Sequence, residues 1–425
     1  MPSVVRTSST TLRFSNSGKR ARLSSFLLEY RRVCQCVLDH VWDNGICVGD
    51  RKFDLGKGLL YTPSFLPKSC MPDLDTPLSA RAVKCASTQA MSMLGAAIKR
   101  RQKDLHWAGK LEGKESPAHL CRRLAQPLQK PSSANIKAEL NSVCASIRWG
   151  ASGLFDGWLV LSSLGKSYGK IELPLRRHRH MNRLSGKGVQ MPSILISVKS
   201  VDIRFKIEAP DNNGTRVVGA DSGLKTVLSL SDGQTTPTTD SHGHSLSSIC
   251  HTVSRRKKGS RSFARAVAHR TNFVNWSVNQ LDFSNVHEIR LEKITNINHR
   301  RRTSGYMRSW ASTSIRDKVL RLAEDQNVSV LLQSSSYRSQ RCSSCGSVRK
   351  ANRKGKIYSC KRCGYVCDAD VNAARNHEQA LPRIPKTFLR TKRNLGEGFL
   401  WLPSGCYSLS GAELTVPPSP PKAVA

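Results

Sequence analysis

Two copies of one five-residue pattern constrain this chain more than any other feature. Cys342-Ser343-Ser344-Cys345-Gly346 and Cys360-Lys361-Arg362-Cys363-Gly364 both read C-x-x-C-G. A glycine after the second cysteine permits the tight turn that aims a loop's amides at its thiolates. Four thiolates in two such pairs suit a tetrahedral zinc ion, held by Cys342, Cys345, Cys360 and Cys363. The 14 residues between the pairs, Gly346 to Ser359, are slightly short for generic four-cysteine spacing but long enough for a β-hairpin. The competing reading is two disulfides or unrelated core cysteines. Directly afterwards comes Asp368-Ala369-Asp370-Val371-Asn372-Ala373-Ala374-Arg375-Asn376, an acidic pair leading into an Ala-rich helix. An acid placed there is held in position by the hairpin before it.

The charge of the whole chain narrows the class of partner. Lys and Arg total 68 against 30 Asp and Glu, a formal net charge of +38 over 425 residues. Such an excess calls for a polyanion, and nucleic acid fits better than a membrane surface. No stretch has the ~18 apolar residues of a spanning helix, and the first residues lack a signal-peptide apolar run. Besides the four knuckle cysteines, the others are irregularly spaced, as free thiols in a reducing compartment would be. An intracellular protein is expected, cytoplasmic and nucleoid-associated if the cell is prokaryotic.

Taken in order, the chain shows a possible strand at Thr11–Phe14, then apolar residues at helical spacing from Leu23 to Trp42. Residues 44–78 read as loop. Ser79 is placed to cap a second helix running to about Trp107. Residues 108–135 again read as loop. Short β-type runs follow at 146–149, 157–161, 169–174, 193–196 and 201–207, spaced as in a small antiparallel barrel. Among them lie Arg176, Arg177 and Arg179, a candidate phosphate-contact patch. If the barrel's first strand is the one near Leu12, the two helices are an insertion in it.

From Thr215 the pattern changes. Val217-Val218-Gly219-Ala220-Asp221-Ser222-Gly223 is a buried strand ending in G-x-D-x-G, and Thr226–Leu230 returns as a second strand. A strand, an acid at its exit, glycines that let a phosphate approach and then a hairpin form the opening of RNase H-like nucleases. The loop 234–260 carries Arg255, Arg256, Lys257 and Lys258, and a helix follows from Arg261 to about Gln280. His287–Ile294 alternates as a strand ending in Glu292, with a further basic run at Arg300, Arg301 and Arg302. A helix near Ser309–Asp325 and a strand at Val328–Leu332 lead into the knuckles. Beyond Pro382 the Pro, Ser and Gly content reads as a disordered tail.

Individually the acids say little, but Asp221, Glu292 and Asp370 come in order from two strand ends and a helix start, and carboxylates so placed can converge at one edge of a mixed sheet. Three such carboxylates suit two Mg²⁺ about 3.5–4 Å apart, since Mg²⁺ prefers hard oxygen ligands. Asp368 competes with Asp370. Asp370 is preferred because Asn372 stands where it assists the same site.

The blocks GADSGLKTVLSL, RLEKITNI, SYRSQRCSSCG, CKRCGY and DADVNAARNH together resemble the split RuvC nuclease and zinc knuckle of the transposon-encoded TnpB family and the compact type V CRISPR effectors. The resemblance covers about residues 215–380, with all five blocks in order. The N-terminal half agrees only in layout. It implies an RNA-guided DNA endonuclease that cuts at a single RuvC site with two Mg²⁺. Its catalytic acids fall on Asp221, Glu292 and Asp370, and its structural zinc on the four cysteines. Ser222-Gly223 and Arg338-Ser339-Gln340 depart from the usual pattern without removing a ligand.

The implied fold is a multidomain α+β one: an N-terminal β-barrel with an inserted helical recognition region, then an RNase H-like α/β domain with an inserted four-cysteine zinc hairpin. The expected boundaries are 1–20 for the first barrel strand, 21–135 for the helical region and 136–213 for the barrel. The nuclease occupies 214–335 and 368–381, the zinc ribbon 336–367 and the tail 382–425. Guide RNA and double-stranded target DNA are the expected partners, with the protein a monomer or homodimer. The alternatives are a guide-dependent DNA binder that represses without cutting, and a zinc-ribbon DNA-binding protein with neither RNA nor chemistry.

Overall fold

The structure is a computed structural model, which describes residues 3–44, 46–48, 51–53, 66–109, 118–126, 128–150, 153–294, 304–384 and 398–409. The chain divides into two compact units, Ser3–Glu208 and a second from Ala209 onward. Among the described residues no helix is long and apolar enough to cross a membrane.

In the first unit, β1 (Ser3–Thr11) is followed by α1 (Ser17–Asn44), the short ribbon β2 (Ile46–Val48) and β3 (Arg51–Phe53), then α2 (Ala80–Gly109) and α3 (Ala118–Ala125). Strands β4 (Ala138–Leu140), β5 (Ala145–Trp149), β6 (Gly157–Leu161) and β7 (Ile171–Leu175) come next. After α4 (Arg179–Ser185), β8 (Gly188–Ile196) and β9 (Ser200–Glu208) complete the unit. Helix α1 buries Leu23, Phe26, Leu27, Tyr30, Val33, Cys34, Val37, Leu38 and Val41, the i, i+3, i+4 stripe its sequence dictates. Facing it, α2 buries the small Ala82, Ala86 and Ala90, and its first turn is capped by Ser79, whose hydroxyl accepts from the Ala82 amide at 3.1 Å. The buried Tyr30 hydroxyl has two acceptors for its single proton, Gln89 Oε1 at 2.8 Å and the Glu139 carbonyl at 3.0 Å.

The expected closed barrel is not what the described strands form. They make two separate antiparallel sheets, ordered β1-β9-β8-β4 and β5-β6-β7. The break comes at Asn141, whose side chain accepts from the Val143 and Cys144 amides at 3.1 Å each and turns the chain out of β4. A register shift between Gln190 and Ile194 spans Pro192, which has no amide to give to the ladder. The first strand lies at Ser3–Thr11 rather than 11–14. Its inward residues include Ser8 and Thr10, so apolar alternation could not reveal it. Helix α3 occupies part of the stretch read as loop.

The second unit is built on a four-stranded sheet, β11-β10-β12-β13. Strands β10 (Arg216–Ser222), β12 (Val286–Glu292) and β13 (Ser329–Gln333) are parallel, and β11 (Leu228–Leu230) pairs antiparallel with β10. Crossovers run through α5 (Leu246–Ser254) with α6 (Arg261–Val278), and α7 (Gly305–Arg308) with α8 (Ser312–Asp325). Their apolar faces bury Phe273, Val274, Ile315 and Val319 with Val218, Leu228, Ile289 and Leu291 of the sheet. Helix α5 lies in the stretch read as loop. It starts from a reciprocal capping box between Ser245 and Ser248.

The knuckle region adds β14 (Ser347–Val348), then β15 (Arg353–Lys354), β16 (Ile357–Ser359) and β17 (Val366–Asp368) as a small antiparallel sheet. It leads directly into α9 (Ala369–Glu378). Helix α9 lies against β10 so closely that a Cβ on Gly219 would sit 1.9 Å from the Ala374 carbonyl oxygen. Gly219 therefore serves helix packing, not the approach of a phosphate. Part of the segment read as a disordered tail is ordered: β18 (Phe399–Leu402) pairs with β14 and with β19 (Gly405–Tyr407). Phe399 and Trp401 are buried there, and four apolar residues in a Gly- and Pro-rich context were too few to shift the composition.

Candidate functional site

The cysteine centre follows from the two knuckles. Gly346 and Gly364 both have φ of +75°, and both amides donate to the carbonyl of the first cysteine of their loop at 3.0 Å. The left-handed turn is therefore required twice, as glycine permits. Sγ of Cys342 lies 3.7 Å from that of Cys363, and Cys345 the same distance from Cys360. A disulfide holds its sulfurs at about 2.05 Å. Bonds of about 2.3 Å to a tetrahedral zinc put them about 3.8 Å apart. All four ligand atoms lie within 4.8 Å of one another. The geometry excludes the disulfide reading and leaves a four-thiolate cluster of the right size for zinc. The Tyr365 amide draws the Cys363 thiol down to about 7, whereas burial pushes Cys342 well up.

The acids meet at the carboxyl edge of the parallel pair. Asp221 is at the end of β10 and Glu292 at the end of β12, neighbouring strands of one sheet. One oxygen of each, with a nitrogen of His377, lies in a group no wider than 4.8 Å. Burial raises the Asp221 carboxyl well above its ordinary range, and the charges of Glu292 and Asp370 push it further. Burial also raises Glu292, against two hydrogen bonds from Ser222: the hydroxyl at 2.5 Å and the amide at 3.2 Å. Ser222, which looked like a departure from the usual motif, is thus the residue that orients Glu292.

Asp370 stands at the start of α9, its carboxylate accepting from Arg353 at 2.8 Å and from Lys356. Lys356 also donates to the Thr226 hydroxyl at 2.6 Å. A Cβ on Gly223 would come 3.8 Å from Asp370 Oδ2, so the turn after Asp221 runs beside this carboxylate. Asp368 has a different task. It caps α9, accepting from the Asp370 and Val371 amides at 2.8 and 3.1 Å. Asn372 does not assist the acids, contrary to expectation. Its amide oxygen accepts from Ser343 N at 3.0 Å and its NH₂ donates to the Arg341 carbonyl at 2.7 Å, tying α9 to the first knuckle. Asn376 adds bonds to the Arg338 and Arg341 carbonyls at 2.8 and 2.7 Å.

His377 is the site residue the sequence did not single out. It is 1% exposed, and its Nε2 lies 4.0 Å from Asp221 Oδ1. Burial, with the nearby Arg338, takes it down to about 3, so the imidazole is neutral. The available signal was its spacing of seven residues from Asp370, two turns on along one helix face.

The basic residues are distributed as follows. Arg255 to Lys258 are exposed at the turn between α5 and α6. In the first unit, Arg176 lies over the rings of Phe14 and Phe155, 4.9 and 5.8 Å from their centroids, and Arg177 lies 4.4 Å from that of Trp149. Arg179 opens α4. Arg300, Arg301 and Arg302 lie outside the described residues.

Residues 313–377 match the Cas12f1-like TNB domain. A CRISPR-associated endodeoxyribonuclease Cas12f1 of Sulfoacidibacillus thermotolerans is 39% identical over 99 residues, 23% of this chain and 22% of that protein. Its namesake in Syntrophomonas palmitatica is 33% identical over 63 residues, 15% of this chain and 13% of that one. The chain thus spans under a quarter of either relative. Among solved structures, a Cas12f1-sgRNA-target DNA complex aligns with 86% of this chain and 83% of its own at 13% identity, TM-score 0.49. CasPhi-2 (Cas12j) bound to crRNA aligns with 90% and 99% at 8% identity, TM-score 0.48. With TM-scores below 0.5, neither likeness establishes a shared fold. The resemblance to compact type V effectors rests on the two relatives and on the TNB match, which lies in the second unit.

Proposed function

We propose that this protein is an RNA-guided DNA endonuclease whose single active site is made by Asp221, Glu292 and Asp370. The observation that carries the reading is that Asp221 and Glu292, from distant sequence positions, each bring an oxygen into a group no wider than 4.8 Å, with Asp370 near enough that its charge, like that of Glu292, raises the Asp221 carboxyl. Crowding carboxylates in a half-buried site is unfavourable unless a cation relieves it. The donor set is all hard oxygen, which fits Mg²⁺. A pair of Mg²⁺ ions held by the three acids would supply Lewis-acid stabilisation of the phosphodiester's developing charge and lower the pKa of water.

The chain's own residues do the positioning. Ser222 fixes the Glu292 carboxylate. Asp368 caps α9 and so holds Asp370 at its first turn, while Arg353 and Lys356 offset the Asp370 charge. Neutral His377 closes the floor beneath Asp221 without adding charge. The four-cysteine centre, proposed to hold one structural zinc, joins the two knuckle loops, and Asn372 ties α9 to the first of them, which helps set where Asp370 stands. The excess of basic residues, among them Arg176, Arg177, Arg179 and Arg255 to Lys258, would hold guide RNA and target DNA by their phosphates, while base pairing reads the sequence.

The test offers labelled DNA, a matching guide RNA and Mg²⁺ to wild type and to Asp221→Ala, Glu292→Ala and Asp370→Ala. Each variant should lose cleavage and keep guided binding. Cutting by Asp221→Ala at the wild-type rate would remove the nuclease reading. Guided binding by a wild type that never cuts would favour a repressor.

A further inference from the structure

Among the described residues, outside the three acids and the cysteine centre, one more cluster of metal-ligand side chains is built from two separate elements. Asp240 and His244 lie in the loop before α5, and His269 lies on the exposed side of α6. We propose that these three residues form a second transition-metal site, of the zinc class, that staples this loop to α6.

The loop is arranged for the purpose by its own backbone. Thr239 and Ser245 are bridged across it. The Asp240 amide donates to the His244 carbonyl at 2.9 Å and the Gly243 amide to the Asp240 carbonyl at 3.0 Å. Gly243 takes φ of +75°, the conformation that closes so small a loop. Asp240 Oδ1 accepts from the His242 and His244 amides at 2.9 Å each. That fixes the carboxylate and turns Oδ2 to the His244 ring, 3.2 Å from Nδ1.

This separation has two explanations, a hydrogen bond or two ligands of one ion. Bonds of about 2.1 Å to a tetrahedral metal put neighbouring ligand atoms about 3.4 Å apart. The Asp240–His244 pair therefore already has the bite of a metal site. His269 comes to the same place from α6, its ring edge-on to His244 with centroids 4.9 Å apart. One ligand atom from each of the three residues lies within 4.8 Å of the other two. Rotation of an exposed imidazole about its own side-chain bonds closes the remaining difference. The fourth position falls to water or to His242, whose ring centroid is 6.1 Å from that of His244.

The donor set decides the class of ion. Two imidazoles and one carboxylate suit Zn²⁺, Co²⁺ or Ni²⁺, whereas Mg²⁺ prefers an all-oxygen shell. The cluster shares no residue with the three acids or the four cysteines, so it stands or falls independently of the nuclease reading. Its bonds cross from a surface loop to a core helix, so metal binding would act as a local fastening of the Asp240–Ser245 turn.

The experiment uses the full chain freed of nucleic acid and loaded with Co²⁺ or Zn²⁺. Thiolate-to-cobalt charge-transfer bands report the cysteine centre alone, so the two sites are counted separately. Beyond that centre, the wild type should retain about one further equivalent of metal after desalting. His269→Ala and the double variant His244→Ala/His269→Ala should lose it with the thiolate bands unchanged. Zinc should also slow amide exchange at Asp240–Ser245 by about tenfold in the wild type and not in the variants. A wild type without the extra equivalent, an extra equivalent that survives in the double variant, or metal binding that leaves exchange in the turn unaltered would each overturn the proposal.

Discussion

Replacing Asp221 by asparagine should abolish cleavage and yet make the metal-free protein more stable. The Asp221 side chain is only 14% exposed, and an oxygen of Glu292 lies within 4.8 Å of one of its own. Unit charges at that separation repel by about 3.5 kcal/mol at an effective dielectric near 20. Each charge is shared over two oxygens, and Arg353 and Lys356 offset part of the field at Asp221. The relief on neutralising Asp221 is therefore about 1–2 kcal/mol, of the size single substitutions reach. In a unit of roughly 200 residues that is about 2–8 °C in Tm. The pH dependence gives the sign independently. The folded-state pKa of Asp221 is raised, so its contribution to stability is fully present below the unfolded pKa, ordinarily about 3.9, and is lost as pH rises through the folded value. The gain of Asp221→Asn over wild type should therefore be small at pH 4 and grow above it. Melting curves in EDTA at several pH values, with and without added Mg²⁺, measure this. Mg²⁺ should raise the wild-type Tm at neutral pH and raise the variant's less. A variant less stable than wild type at pH 8, or one with the wild-type pH slope, would refute the reasoning.

Cys345→Ser combined with Cys363→Ser should remove zinc by elemental analysis, lower Tm and impair cutting, because the hairpin that positions Asp370 loses its anchor. Asp368→Ala should cost about 1 kcal/mol through the missing helix cap and keep part of the cleavage activity, whereas Asp370→Ala should keep none. A reversal in the cleavage assay would exchange their roles. Neutralising Arg255, Arg256, Lys257 and Lys258 should flatten the salt dependence of nucleic-acid binding, by up to about 0.9 in log–log slope for each phosphate no longer neutralised. Titration at several salt concentrations measures that slope. Gly219→Ala should destabilise by about 1–3 kcal/mol in denaturant unfolding, since its Cβ would meet the Ala374 carbonyl.

Local chemistry was legible in the sequence. The paired C-x-x-C-G knuckles, with the left-handed glycines that shape them, are complete within five residues each. The stripe of α1 and the alternation of β12 were equally plain, because burial there follows a fixed period. Asp221 and Glu292 could be placed at strand ends for the same reason. What the sequence left open depended on partners far along the chain. Asp368 and Asp370 are two residues apart and alike in type; only the fold turned one toward its own helix amides and the other toward Arg353 and Lys356. Ser222 looked like a departure from a motif until Glu292, 70 residues away, came within 2.5 Å of its hydroxyl. His377 carried no catalytic pattern, and it comes to lie beside Asp221 only because α9 packs onto Gly219. The closed barrel failed because period-two alternation identifies strands but not which strands pair, and Asn141 sends the chain to a second sheet. Period and spacing belong to the sequence; pairing, convergence and the burial that shifts a carboxyl group belong to the tertiary structure, because each requires residues that only folding brings together.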